Sequence, residues 1–177
     1  LALAEDDHYF RTKACDQAYE ICEDRVVHEW APWEDVQIKT TIIPLKNAHV
    51  RLHEIETKRK LIAYEGGFSI PITPEEAHQV TTNQAQIKST FGCSEITAIT
   101  GFTQAGIVRT EPNTNLCHPR THLPHLKTTL SSGHHRLISV VSGYLPGERV
   151  AMPVIMQEQD QMTIEQEGKI IKINTPQ

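Results

Sequence analysis

The sequence predicts an all-β fold: two antiparallel sheets packed face to face as a supersandwich-like β-sandwich, with at most one short helix. Three observations carry this. Isoleucine, valine and threonine supply 18, 10 and 18 of the 177 residues, and branched side chains suit a pleated surface better than a helix. Apolar residues recur with period two in one segment after another. Gly, Pro, Asn and Ser separate those segments at short intervals, giving about ten to twelve strands. Stacked sheets bury such strands on one face each, and a closed barrel is the runner-up because it removes exposed edges. The length asks for one domain with a real core.

The opening LALA runs straight into acid and lacks a Met, which suggests a segment excised from a longer polypeptide. Residues 5–18 are polar with weak periodicity and read as a connector or short helical remnant. From Tyr19 to Trp30 the pattern becomes strand-like. "DVQIKTTIIPL" alternates Val36, Ile38, Thr40 and Ile42 against Gln37, Lys39 and Thr41, the signature of a strand with one buried face. "NAHVRLHEIET" places Val50 and Leu52 on one side and His49, Arg51 and His53 on the other. With "KLIAYEGGFSI" after a charged turn, these segments predict a three-stranded meander. Gly66-Gly67 marks a bulge, a bend or a close backbone approach. "PITPEEAHQVTTNQAQ" is the one plausible helical turn: Thr73 as cap, Pro74 near the first position, and Glu75 and Glu76 in the first turn. Beyond Ile87 strand signals return in "SEITAITGF", "GIVRTE", "THLPHLKTTL", "HHRLISVVSGYL", "RVAMPVIMQ", "QMTIEQ" and "KIIKINT".

Formal net charge is -5 with a pI near 6.1, and the basic residues are scattered, so no nucleic-acid footprint exists. No apolar run reaches the length of a membrane span, so the chain is expected to be soluble with no membrane partner. Cys15, Cys22, Cys93 and Cys117 lack C-x-x-C spacing; buried or free thiols are expected ahead of a Cys15–Cys22 bridge. The compartment stays open, with the cytoplasm slightly preferred.

Polar groups concentrate in "EPNTNLCHPRTHLPHL", residues 111–126. His118, His122 and His125 have H-x3-H-x2-H spacing, but Pro119 and Pro124 exclude the helix that would align them. On an extended chain His118 and His122 share one side and His125 points to the other. With no carboxylate close to these histidines in the segment, no metal or cofactor is expected, and a His118–His122 pair is the alternative. Pro112, Asn113 and Asn115 suit a stiff loop with Asx turns. Arg120 either pairs with a carboxylate of this domain or faces an anionic or hydroxyl-rich partner.

His49, Arg51 and His53 could line a groove, although a solvent-exposed sheet face would look the same and is the simpler reading. Glu65, next to Gly66-Gly67, could be a general acid or base, or the ion-pair partner of Arg51 or Arg120. Trp30 and Trp33 bracket a proline turn and could stack on a sugar ring or anchor the core. No G-x-S-x-G elbow and no phosphate loop is present.

"TKRKLIAYEGGFSIPI" with "EPNTNLCHPRTHLPHL", after a tryptophan-rich entry and an opening like "LALAEDDHYF", resembles the C-terminal domain of a microbial and fungal family catalogued as domain of unknown function twenty-two sixty-four. The Asn-Thr-Asn-Leu word at 113–116 and the Pro-Arg-Thr word at 119–121 carry the resemblance, which spans nearly the whole chain. It implies a longer N-terminal part similar to an α/α toroid and a C-terminal β-sandwich, as in heparinase-type polysaccharide lyases. Residues 1–18 would then connect from an upstream α-helical domain, with 19–177 the sandwich.

The expected function is a non-catalytic β-sandwich that packs on an α/α-toroid carbohydrate-active enzyme and completes its groove, the parent being a polysaccharide lyase or glycoside-hydrolase-like protein. Arg51, Glu65, Asn113, Asn115, His118, Arg120, Trp30 and Trp33 are the candidate ligand or interface residues. The partner would be the upstream domain or a separate subunit, and carbohydrate. One alternative is a free-standing lyase or hydrolase drawing on Glu65, His53, His118 and Arg120. Another is a carbohydrate-binding module using the two tryptophans.

Overall fold

The computed structural model describes residues 1–5, 17–110, 121–148, 151–158 and 161–174. Its strands are β1 (Ala2–Ala4), β2 (Gln17–Ile21), β3 (Val26–Trp33), β4 (Val36–Leu45), β5 (Ala48–Thr57), β6 (Leu61–Gly66), β7 (Ile70–Pro71) and β8 (Ala77–Val80). The second half contributes β9 (Gln84–Ser89), β10 (Gly92–Thr100), β11 (Gln104–Thr110), β12 (Thr121–Leu130), β13 (Gly133–Tyr144), β14 (Val154–Glu158), β15 (Gln161–Gln166) and β16 (Lys169–Asn174). Among the described residues there is no helix.

The central sheet runs β2-β3-β4-β5-β13-β10-β9-β8, entirely antiparallel. A second sheet, β1-β6-β12-β11 with β7 paired to β12, covers one of its faces. Val36, Ile38, Ile55 and Leu137 of the central sheet meet Leu3, Leu61, Ala63 and Leu130 there, and Ala85, Ile96 and Val141 meet Leu126 farther along. The two-sheet sandwich expected from the period-two pattern is therefore present, with no closed barrel.

A third sheet adds a layer. Strands β14, β15 and β16 pack Met162, Ile164, Ile171 and Ile173 on the opposite face of the central sheet, against Ile43, Val50, Leu52, Ile138 and Val140. The middle of the central sheet is thus covered on both sides, so β4 switches partway from strict alternation to consecutive buried residues at Thr40 and Thr41.

Two local expectations are corrected. The three-strand meander stops after two: β4 and β5 pair, but Lys58–Lys60 carries the chain across the sandwich, and β6 pairs with β1 and β12 in the other sheet. The helical turn at Thr73 does not form. Glu76 Oε2 accepts the Thr73 N–H at 3.2 Å, half of a capping box, yet the chain continues as β8, in register with β9 from Ala77↔Lys88 to Val80↔Ala85. One cap bond cannot offset a costly helix nucleus when a neighbouring strand offers a ladder.

Gly66-Gly67 is a close approach. A Cβ on Gly67 would lie 2.9 Å from Pro124 Cγ, and its N–H donates to the Pro124 carbonyl at 2.8 Å.

Candidate functional site

The apolar interior between the two main sheets turns polar at one end. On β6 the inward row reads Leu61, Ala63, Glu65, and on β5 it reads Ile55, His53, Arg51, His49. Period two puts these residues on facing surfaces, so continuing past the Leu61–Ile55 core brings Glu65 opposite His53 and Arg51. The face carrying His49, Arg51 and His53 is an interior face, not the solvent-exposed one that the sequence suggested: His53 is 1% exposed and Glu65 fully buried. An interior carboxylate must be paired.

Glu65 has three partners, the farthest being the Leu1 ammonium, 3.5 Å from its Oε2. Its Oε1 accepts from Arg51 Nη1, and its Oε2 lies 2.5 Å from His53 Nε2, in close contact though off hydrogen-bond alignment. Arg51 Nη1 also donates to the Gly66 carbonyl at 2.9 Å. A carboxylate can only accept, so His53 carries its proton on Nε2, and Nδ1 accepts from Thr40 Oγ1, 2.9 Å away. Arg51 Nε donates to His49 Nε2 at 2.7 Å, which places the His49 proton on Nδ1.

Protonation follows from these contacts. Burial alone would raise the Glu65 pKa, but the His53 contact, the Leu1 ammonium and the Arg51 charge outweigh it and bring it down to about 2. Burial lowers the His53 pKa even though Glu65 opposes the shift. Burial, with help from Arg51, lowers His49 to about 4. At neutral pH the cluster is therefore one carboxylate, one guanidinium and two neutral imidazoles.

A cavity of about 610 Å³ opens over this cluster, lined among others by His28, Trp30, Thr40, His49, Arg51 and Glu65. Tyr19, His28 and Trp30 stack in a row at its side, with centroids 4.3 and 6.0 Å apart. The imidazole lone pairs are already taken, His53 Nδ1 by Thr40 and His49 Nε2 by Arg51. What the cluster can still offer is donors, His49 Nδ1–H and the remaining Arg51 N–H groups. Such a surface recognises acceptors.

Of the other candidates, Trp30 lines this cavity. Trp30 and Trp33 are both partly buried against the Leu61–Ile55 core, and the Arg59 guanidinium lies 5.7 Å over the Trp33 ring. Asn113, Asn115, His118 and Arg120 lie outside the described residues, as do Cys15 and Cys117; Cys22 and Cys93 are free thiols. His125 sits over Gly106, away from His122. His122 instead meets Glu76 and His78. Thr40 was missed because its role comes from its cross-strand neighbour His53, and Glu76 and His78 because theirs comes from His122, on a strand distant in the chain.

The family model of the DUF2264 C-terminal domain matches residues 1–159. The chain belongs to that family. No curated protein matches it. Among solved structures, this DUF2264 C-terminal domain superposes on a heparan sulfate lyase HepC mutant from Pedobacter heparinus with a TM-score of 0.68 at 10% identity, covering 99% of this chain and 30% of that one. The unmutated HepC from the same organism gives 0.65 at 11%, with 99% and 30% covered. A crystal structure of heparinase III gives 0.66 at 11%, with 99% and 29% covered. At such identity the likeness shows a shared fold. The DUF2264 domain spans less than a third of the length of these chains.

Proposed function

We propose that this DUF2264 C-terminal domain is a non-catalytic β-sandwich of a larger carbohydrate-active protein, packed on an upstream α-helical domain and lining one side of the groove between them. Residues 1–18 would enter from that upstream domain, with Ala2–Ala4 docking onto the sandwich as β1. The observation that carries the proposal is the saturation of the Glu65–Arg51–His53–His49 cluster. A general base needs a free lone pair near the substrate, and here His53 is buried and His49 Nε2 is held by Arg51. A donor-rich mouth beside a stacked aromatic row suits the carboxylate, sulfate or hydroxyl groups of a polysaccharide. Kinship in fold to lyases of heparan sulfate agrees with an acidic glycan as the ligand class.

The purified 177-residue chain is expected to cleave no polysaccharide, and to bind acidic oligosaccharides in a manner weakened by Arg51→Ala. Turnover by the chain alone, lost in His49→Gln or Glu65→Gln, overturns the proposal. A binding-module reading has one supporting observation, the open face of Tyr19 at the end of the aromatic row, where Tyr19 is 64% exposed. Loss of oligosaccharide binding in Tyr19→Ala with no change in Arg51→Ala would favour it.

A further inference from the structure

At the far rim of the sandwich a second polar cluster joins the two main sheets. Glu76 precedes the edge strand β8, His78 lies on it, and His122 belongs to β12 of the other sheet. Four strand spacings separate β8 from β5 in the central sheet, roughly 19 Å at about 4.8 Å per strand, so this cluster is separate from the Glu65 site.

The geometry is convergent. Glu76 Oε1 contacts both His78 Nε2 and His122 Nδ1, the two rings stand at 89° with centroids 4.9 Å apart, and the three ligand atoms lie within 4.8 Å of one another. The Glu76 side chain is only 8% exposed, and its Oε2 is fixed by the Thr73 N–H. Among the described residues His122 Nδ1 is buried without an aligned hydrogen-bond partner. Two imidazole nitrogens directed at one nearly buried carboxylate oxygen leave an unsatisfied acceptor or an unaligned donor at the centre, and a cation there would satisfy all three groups at once.

We propose that Glu76, His78 and His122 form a site for one divalent transition-metal ion of the zinc class, which ties the edge strand β8 to the opposite sheet. Two imidazoles and one carboxylate make a borderline N₂O set with an open position, suited to Zn²⁺, whereas Mg²⁺ and Ca²⁺ require oxygen-rich cages. The carboxylate that His122 meets is Glu76, supplied through tertiary structure. Arg109, opposite His122 across the β11–β12 pair, is exposed, so water screens its repulsion of the ion. Among the described residues strand β8 is hydrogen-bonded on one side only, to β9, and an ion bound to the folded chain would raise its melting temperature by mass action.

The test uses the full chain, stripped with a chelator and dialysed. Zn²⁺ is expected to bind at one equivalent by calorimetry and raise the melting temperature, Co²⁺ to give a visible d–d band, and Mg²⁺ and Ca²⁺ to do neither. Glu76→Gln and His78→Gln should each weaken Zn²⁺ at least tenfold and abolish the Co²⁺ band, while His134→Gln, at an exposed histidine on β13, should change nothing. His78 is exposed, so its replacement leaves the fold intact. Zn²⁺ without effect on melting, or a Zn²⁺ response and Co²⁺ band unchanged in both His78→Gln and Glu76→Gln, overturns the proposal.

Discussion

Arg51 and Glu65 face each other across the interior of the sandwich, the guanidinium on β5 of the central sheet and the carboxylate on β6 of the covering sheet. The pair bridges two layers whose interior is otherwise largely apolar at this level. Breaking it leaves an uncompensated charge in a place where water reaches only the Arg51 edge, one-fifth exposed.

Glu65→Gln should therefore destabilise the domain by about 3–5 kcal/mol, the usual cost of orphaning one member of a buried pair. Adding Arg51→Met should recover a substantial part, because the stranded charge is removed as well. Urea denaturation of the two single variants and the double variant gives the coupling energy. A coupling below about 0.5 kcal/mol would mean the two groups do not act as a pair.

Stability should fall on acidification in two windows. His49 has its folded pKa lowered from 6.5 to about 4, so between those values the unfolded chain binds more protons and stability is lost as pH drops. Glu65 is lowered from 4.5 to about 2; its contribution is complete above 4.5 and disappears as pH falls toward 2, amounting to about 3 kcal/mol at about 1.4 kcal/mol per pKa unit. Urea midpoints measured across both windows should show His49→Gln reducing the upper one, to which His53 and His125 also contribute, and leaving the lower intact.

The two adjacent glycines should respond differently to alanine. At Gly67 the new methyl would sit 2.9 Å from the Pro124 ring and 3.3 Å from Ser94 Oγ, an overpacking expected to cost about 1–3 kcal/mol. At Gly66 the nearest atom is a Leu123 methyl at 3.4 Å, ordinary contact, so the change should stay within about 0.5 kcal/mol. Equal melting temperatures for the two variants would contradict the close approach of β12 at Gly67.

The third sheet should carry real stability. Ile164 is fully buried against the central sheet, and Ile164→Ala is expected to cost about 2–5 kcal/mol. Ile170, on the neighbouring strand but 59% exposed, should tolerate alanine with little change. Thermal melts of both variants test whether β14–β16 are part of the cooperative unit.

Much of the architecture is written in local pattern. The alternation from Val36 to Ile42, the Val50–Leu52 face and the late strands "QMTIEQ" and "KIIKINT" all appear where period two places them. Gln84–Ser89 escaped because "QAQIKS" offers few apolar residues, although Ala85 and Ile87 are fully buried. The helical reading at Thr73 rested on correct cap chemistry, since Glu76 does bond the Thr73 N–H; pairing with β9 decided the outcome.

The sequence by itself determined that this is an all-β sandwich, that His49, Arg51 and His53 share one face, and that Gly66-Gly67 marks a bulge, a bend or a close approach, because strand periodicity and glycine freedom act over a few residues. Only the tertiary structure decided that this face is interior, that Glu65 meets Arg51, and that Glu76 and His78 reach His122. Those contacts depend on which sheet each strand joins, and that choice is made by long-range hydrogen-bond ladders and shared apolar burial that no short window of residues records.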